Sequence, residues 1–181
     1  MVAVGDMILQ QTNIDYDLSF IYNIEWFNYK DPLKDIMTHQ LKELHAPYGG
    51  MPSSYTDQNT IIYQKFLSKS EIDYEILSQQ TNIDIHTISV IRQRPGNCIP
   101  LHIDRFYKLR QIKPDGEPVR ANIFVEDWED GHILQFGDKI KWNWKKNTGW
   151  IFNEHVPHLS GNCGMKDKYT LQLSGFLKND N

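Results

Sequence analysis

Val119-Arg120-Ala121-Asn122-Ile123-Phe124-Val125-Glu126 is the stretch on which the fold turns. Its odd positions are all apolar, while its even positions carry Arg120, Asn122, Phe124 and Glu126. Residues i and i+2 of a strand share a face, so one side is greasy and the other largely polar. The segment from Lys168 to Leu177 repeats the pattern. Tyr169, Leu171, Leu173 and Leu177 fall on one side, and Lys168, Thr170, Gln172 and Ser174 on the other. Two arrangements suit such strands. A two-sheet sandwich buries the apolar face and leaves the polar face in water. A barrel can instead turn the polar face inward around a polar ligand and pack its apolar outside under helices.

Around these strands the chain is punctuated by turns. From Ile85 onward, Pro95-Gly96-Asn97, Pro114-Asp115-Gly116, Asp130-Gly131, Asn147-Thr148-Gly149 and Gly161-Asn162 separate short alternating segments. That rhythm predicts a sandwich or barrel rather than βαβ units. The first half reads as mixed and partly helical. Asp31-Pro32 is an N-cap followed by proline at the first helical position, and Leu33, Ile36, Met37, Leu41 and Leu44 follow at helical spacing. Ala46-Pro47-Tyr48-Gly49-Gly50 ends that run. A second helix is expected from near Ser70 through Ile76 and Leu77 towards Gln80. The expected molecule is one domain over 1–181, mainly β with flanking helices (α+β). Residues 1–84 would form a helical or mixed support and substrate region, and 85–178 the β core. The hexapeptide Gln-Gln-Thr-Asn-Ile-Asp occurs at 10–15 and again at 79–84, but nothing around it recurs, so it predicts no repeat architecture.

Composition narrows the function classes. The chain has 181 residues, enough to bury a core without disulfide staples. Its 12% aromatic content argues against disorder. With 19 Lys plus Arg against 23 Asp plus Glu, the net charge of −4 supplies no electrostatic reason to bind nucleic acid or an anionic membrane. No apolar run is long enough to span a bilayer, and Met1 to Gln11 lack the pattern of a signal peptide. Cys98 and Cys163 are expected as free thiols in a reducing, cytoplasmic compartment.

The chemistry is concentrated in Pro95-Gly96-Asn97-Cys98-Ile99-Pro100-Leu101-His102-Ile103-Asp104. In an extended chain His102 and Asp104 point the same way, presenting an imidazole beside a carboxylate. Glu154-His155-Val156-Pro157-His158 supplies a further ligand downstream. His-x-Asp followed by a distant His is the sequence form of the 2-His-1-carboxylate facial triad, which binds non-haem Fe(II) and leaves positions open for co-substrate and O2. On this reading His102, Asp104 and His158 are both metal ligands and catalytic centre. His155 is the rival third ligand, and Pro157-His158-x-x-x-Asn162 favours His158. Lys168 follows ten residues after His158 (168 − 158 = 10), at the head of the last strand and on its polar face. A fixed cation there suits the far carboxylate of 2-oxoglutarate, and Arg120, on the polar face of another strand, suits the same carboxylate or the substrate.

These residues resemble the Fe(II)/2-oxoglutarate-dependent oxygenases over roughly Pro95–Leu177. The branch most similar is aspartyl/asparaginyl β-hydroxylase-like or prolyl-hydroxylase-like, including small members encoded by phages. Pro95-Gly96-x-x-Ile99-Pro100-x-His102-x-Asp104 is similar to the family's turn into the metal-binding strand. Arg120-x-Asn122-Ile123-Phe124 resembles a co-substrate-contacting strand, Gly149-Trp150-Ile151-Phe152 and Pro157-His158 the distal-histidine region, and Lys168-Tyr169-Thr170-Leu171 the final strand. The resemblance implies a double-stranded β-helix of the jelly-roll, cupin-like kind. It implies Fe(II), 2-oxoglutarate and O2 as cofactors and co-substrates, with Lys168, Arg120 and Asn122 on the 2-oxoglutarate side. It also implies hydroxylation of a peptidyl residue or free amino acid of the Pro, Asn or Asp type, with decarboxylation to succinate and CO2. The branch often has Arg where this chain has Lys168, so the division of labour between Lys168 and Arg120 stays open.

Other features have plainer readings. The basic segment with Arg105, Lys108, Arg110 and Lys113 suits a substrate-contacting lid, or, as the favoured reading, a solvated hairpin. His39, His45, His86 and His132 have no partner at ligand spacing. Trp142 and Trp144 share parity with Ile140 and are expected in the core, Asp127, Glu129 and Asp130 in a solvated turn, and Cys98 as an inert thiol. Two competing functions remain: a cupin-like protein running a non-oxygenase metal reaction such as isomerisation, and a non-catalytic β-helix domain that binds a ligand or partner.

Overall fold

The computed structural model describes residues 6–26, 29–30, 44–50, 52–60 and 62–178. The helix expected over 31–44 lies, except for Leu44, outside the described residues, as does His39. Eleven described strands are present: β1 (Leu9–Asn13), β2 (Tyr29–Lys30), β3 (Ile62–Leu67), β4 (Ile83–Gln93), β5 (Cys98–His102), β6 (Pro118–Phe124), β7 (His132–Phe136), β8 (Lys139–Lys141), β9 (Thr148–Asn153), β10 (His158–Asn162) and β11 (Lys168–Leu177). They form two antiparallel sheets, one ordered β1-β9-β6-β11-β4-β3-β2 and the other β5-β10-β7-β8. From β4 onward the chain passes repeatedly from one sheet to the other, with only β7 and β8 remaining in the same sheet. That winding is a jelly roll, a cupin-like double-stranded β-helix.

Burial decides between the two arrangements the alternation allowed. Val119, Ala121, Ile123, Leu171 and Leu173 have no exposed surface and pack in one core. Their polar neighbours are buried too, with Asn122 at 5%, Gln172 at 8% and Lys168 at 1% exposure. Both faces of β6 and β11 are therefore inside, which is the barrel and not the wetted sandwich. Register places Thr170 opposite Phe124, Gln172 opposite Asn122 and Ser174 opposite Arg120, so the inward residues form continuous rows. A bulge between Ser174 and Gly175 shifts the register at the end of β11. Only glycine fits at 175, because a Cβ there would collide with the carbonyl oxygen of Asp84.

The first half contributes more strand than its sequence suggested. β1 pairs with β9 at one edge of the large sheet, and β3 pairs with β4 near the other. The apolar outer face is closed by Ile14, Leu18 and Ile21 from the segment after β1, and by Ile72 and Leu77. Leu77 lies on helix α1 (Tyr74–Thr81). That helix starts later than Ser70 because Asp73 is the cap, accepting from the amides of Glu75 and Ile76 at 2.9 and 3.1 Å. Glu71 instead accepts from the amide and hydroxyl of Ser68, holding a separate turn. The basic segment after Asp104 is not a hairpin. It forms a short helix, α2 (Tyr107–Ile112), and Phe106 and Leu109 cluster with Phe176.

The parity argument for the tryptophans holds for one residue only. Trp144 is 4% exposed and stacks on Phe124 at 3.7 Å, whereas Trp142 is 67% and Ile140 57% exposed. β8 is an edge strand that ends at Lys141, and Asn143 has φ 54, so the alternation does not carry through to Trp144. Among the described residues no helix is long and apolar enough to cross a membrane.

Candidate metal centre

The two histidines are brought together by strand pairing. β5 and β10 run antiparallel, with His102 directly opposite His158 and the ring centroids 4.1 Å apart. β5 ends at His102, so Asp104 lies just beyond the strand, yet its carboxylate still reaches both rings. His102 Nε2 is 3.9 Å from Asp104 Oδ1, and His158 Nε2 is 3.9 Å from Asp104 Oδ2. One ligand atom from each of the three residues lies within 4.8 Å of the others. Bonds of about 2.0–2.2 Å to nitrogen and oxygen would let one ion span such a group once the donor atoms draw about 1 Å closer together.

The donor set is prepared for a cation. Nδ1 of His102 donates to the carbonyl of Pro100 at 2.8 Å, and Nδ1 of His158 to the carbonyl of Val156 at 3.0 Å. A carbonyl only accepts, so each Nδ1 carries the proton and each Nε2 turns a lone pair towards Asp104. Burial pushes His102 down to about 3 and lowers His158 as well. Both rings are therefore neutral near pH 7, the form that ligates a metal, and their 3.9 Å approaches to Asp104 are not ion pairs. Two neutral imidazoles and one carboxylate with backbone-fixed tautomers fit a divalent transition metal.

Lys168 stands on the neighbouring wall. It is buried, and burial pushes its ammonium down to about 7. Its Nζ donates to the carbonyl of Ile133 and to Ser160 Oγ, both at 2.6 Å, and lies 5.6 Å from the ring of Trp144. Ser160 in turn donates to Gln93 Oε1 at 2.6 Å. A cavity of about 30 Å³ joins the two sites, with His102, His158, Asn122, Ser160, Lys168 and Gln172 among its lining residues. That volume holds water-sized groups, so a five-carbon dicarboxylate enters only if lining side chains move. Asn122 accepts from Gln172 Nε2 at 3.1 Å within this wall.

Arg120 is placed differently from Lys168. Its Nη1 donates to Asp104 Oδ1 at 2.8 Å, its Nε to Ser174 Oγ at 3.1 Å, and its guanidinium lies 5.3 Å from the Phe106 ring centroid. His155 sits in the turn before β10 and is not in the cluster with His102 and Asp104. Nε2 of buried His45 lies 2.9 Å from the carbonyl of Leu101, next to His102. His132 lies 3.2 Å from the Lys166 carbonyl, and His86 pairs with Asp84. Cys98 and Cys163 are free. Sequence reasoning passed over Ser160 and Gln93. Ser160 was within reach, since it lies at i+2 from His158, but Gln93 becomes visible only through its register opposite Lys168.

No family profile matches the chain, and no curated protein matches it in sequence. Its structure resembles that of a prolyl-4-hydroxylase from Pseudomonas putida, at TM-score 0.51 and 12% identity, over 93% of this chain and 92% of that one. It is also similar to a 2OG-Fe(II) oxygenase family oxidoreductase from Burkholderia pseudomallei, with TM-score 0.45, 13% identity and coverage of 78% and 83%. An RmlC-like cupin protein from Desulfovibrio desulfuricans matches at TM-score 0.40 and 12% identity over 67% of this chain and 86% of that one. At 12% identity the likeness to the prolyl-4-hydroxylase is one of fold.

Proposed function

We propose that this chain is an Fe(II)- and 2-oxoglutarate-dependent dioxygenase that hydroxylates a peptidyl residue or free amino acid of the Pro, Asn or Asp type. The observation that carries the reading is the convergence of His102, Asp104 and His158 beside a lumen that also holds the buried Lys168. His102, Asp104 and His158 would hold the iron. When bound, Fe(II) and 2-oxoglutarate supply the oxidising power, with O2 as oxidant and succinate and CO2 as products. The chain's own residues bind and orient. The Pro100 and Val156 carbonyls fix which imidazole nitrogen faces the metal. Lys168 would turn from Ile133 and Ser160 to the far carboxylate of the co-substrate, with Ser160 as a second donor. Asn122 and Gln172 line the same wall, and Phe124 and Trp144 exclude water behind it.

The deciding experiment is anaerobic addition of Fe(II) and 2-oxoglutarate, which should produce a visible charge-transfer absorption in wild type and none in His102→Ala. Absence of the band in wild type sinks the oxygenase reading. A second reading, a cupin that binds a small ligand through the same three residues, is favoured by the 30 Å³ cavity and by Lys168 already holding two acceptors. Metal binding without any response to 2-oxoglutarate would select it.

A further inference from the structure

Arg120 lies on the polar face of β6, where the sequence allowed it to serve either a co-substrate or a substrate. Its contacts point elsewhere. The guanidinium is held on three sides, by Asp104 Oδ1 at 2.8 Å, Ser174 Oγ at 3.1 Å and the face of Phe106 at 5.3 Å. Phe106 has φ 49, a left-handed conformation that a bulky residue adopts only when its surroundings enforce it. It also follows Asp104 by two residues, so the strained turn and the carboxylate belong to one short segment. Asp104 is itself 8% exposed, and its two carboxylate oxygens lie 3.9 Å from His102 Nε2 and from His158 Nε2. Arg120 reaches this buried carboxylate as a charged, directional donor, the kind of contact that fixes a carboxylate's orientation.

We infer that Arg120 is a positioning residue for Asp104, holding its carboxylate against His102 and His158, rather than an anchor for the co-substrate. The inference rests on the metal reading above. Outer partners that orient a metal ligand typically contribute about 10–100-fold to metal affinity. Arg120→Gln keeps a planar N–H donor on a shorter stem but loses the charge and the fork. Arg120→Lys keeps the charge without the fork.

The test is titration of the metal-free protein with Co(II), followed by its visible absorption, and then of the Co(II)-saturated protein with 2-oxoglutarate. Arg120→Gln is expected to weaken Co(II) binding at least tenfold and to alter the Co(II) band, with Arg120→Lys intermediate. The 2-oxoglutarate affinity of the metal-saturated variants should stay within about twofold of wild type. If Arg120→Gln does not fold, judged by circular dichroism, Ser174→Ala tests the same clamp with the cation retained. A several-fold loss of Co(II) affinity there supports it, and an unchanged affinity overturns it. Unchanged Co(II) affinity in Arg120→Gln, or a tenfold loss confined to 2-oxoglutarate, also overturns the assignment. Wild-type protein that takes up no Co(II) overturns the metal reading itself and this assignment with it.

Discussion

His102 and His158 are cross-strand partners, 56 residues apart in the chain (158 − 102 = 56) and 4.1 Å apart between ring centroids. Each donates Nδ1–H to the carbonyl two residues before it, Pro100 for one and Val156 for the other. The same local device sets both rings, and the pairing of β5 with β10 aims them at one point. Removing either ring should therefore cost the site most of its metal affinity. His158→Ala is expected to lower Co(II) affinity by about a hundredfold or more while leaving the circular dichroism spectrum unchanged. Equilibrium dialysis against Co(II) checks it, and retention of wild-type affinity would remove His158 from the ligand set.

Lys168 should act on the co-substrate and not on the metal. Lys168→Met preserves the length and volume of the side chain while removing the charge that faces Ser160 and Ile133. The expected result is a rise of about tenfold or more in the KM for 2-oxoglutarate, with Co(II) affinity unchanged. Substitution that weakens metal binding instead would contradict the assignment.

The depressed Lys168 also implies a pH dependence of definite sign. Its ordinary value is 10.5, and burial brings it to about 7 in the fold. Between those values the unfolded chain binds the extra proton, so this group makes stability rise with pH from about 7 to 10.5. A carboxylate ligand prefers the charged form, so 2-oxoglutarate binding should weaken as pH rises above about 7 and should take up protons. Glu126, which burial pushes up to about 7, interacts electrostatically with Lys168 and titrates in the same range. Calorimetry at pH 8 in two buffers of different ionisation enthalpy, on wild type and Glu126→Gln, measures the uptake. Binding with no net proton uptake in either protein counts against Lys168 as the anchor.

The segment after β1 is part of the core and not an appendage. Leu18 and Ile21 have no exposed surface and pack against the outer face of the large sheet. Leu18→Ala is expected to destabilise the protein by about 2–5 kcal/mol, from lost burial plus the cavity left behind. Urea unfolding measures the loss, and a change below about 1 kcal/mol would show that the segment is dispensable for the fold.

The repeated hexapeptide shows where local sequence stops deciding structure. At 10–15 Gln-Gln-Thr-Asn-Ile-Asp runs through β1, and at 79–84 the same six residues end α1 and open β4. The two copies meet, since the Gln80 side chain accepts from the amide of Asp15 at 2.9 Å and donates to its carbonyl at 3.1 Å. Identical propensities gave different elements because their neighbours differ: β9 offers one copy a pairing edge, while Asp73 caps a helix through the other.

Alternation alone determined that β6 and β11 carry one apolar and one polar face, because side chains on a strand have a period of two. Residue type and spacing singled out His102, Asp104, His158 and Lys168, since their chemistry is visible wherever they lie. What the alternation left open was whether the polar face is wet. Only the tertiary structure decided that, by setting the four-stranded sheet across from the larger one and burying Lys168, Gln172 and Asn122 in its lumen. Arg120 and Lys168 both read as cations on polar faces. Strand position separated them, setting Arg120 beside Asp104 and Lys168 beside Ser160. Those pairings cross 16 residues in one case and 8 in the other, through turns and sheet crossovers that no local pattern encodes.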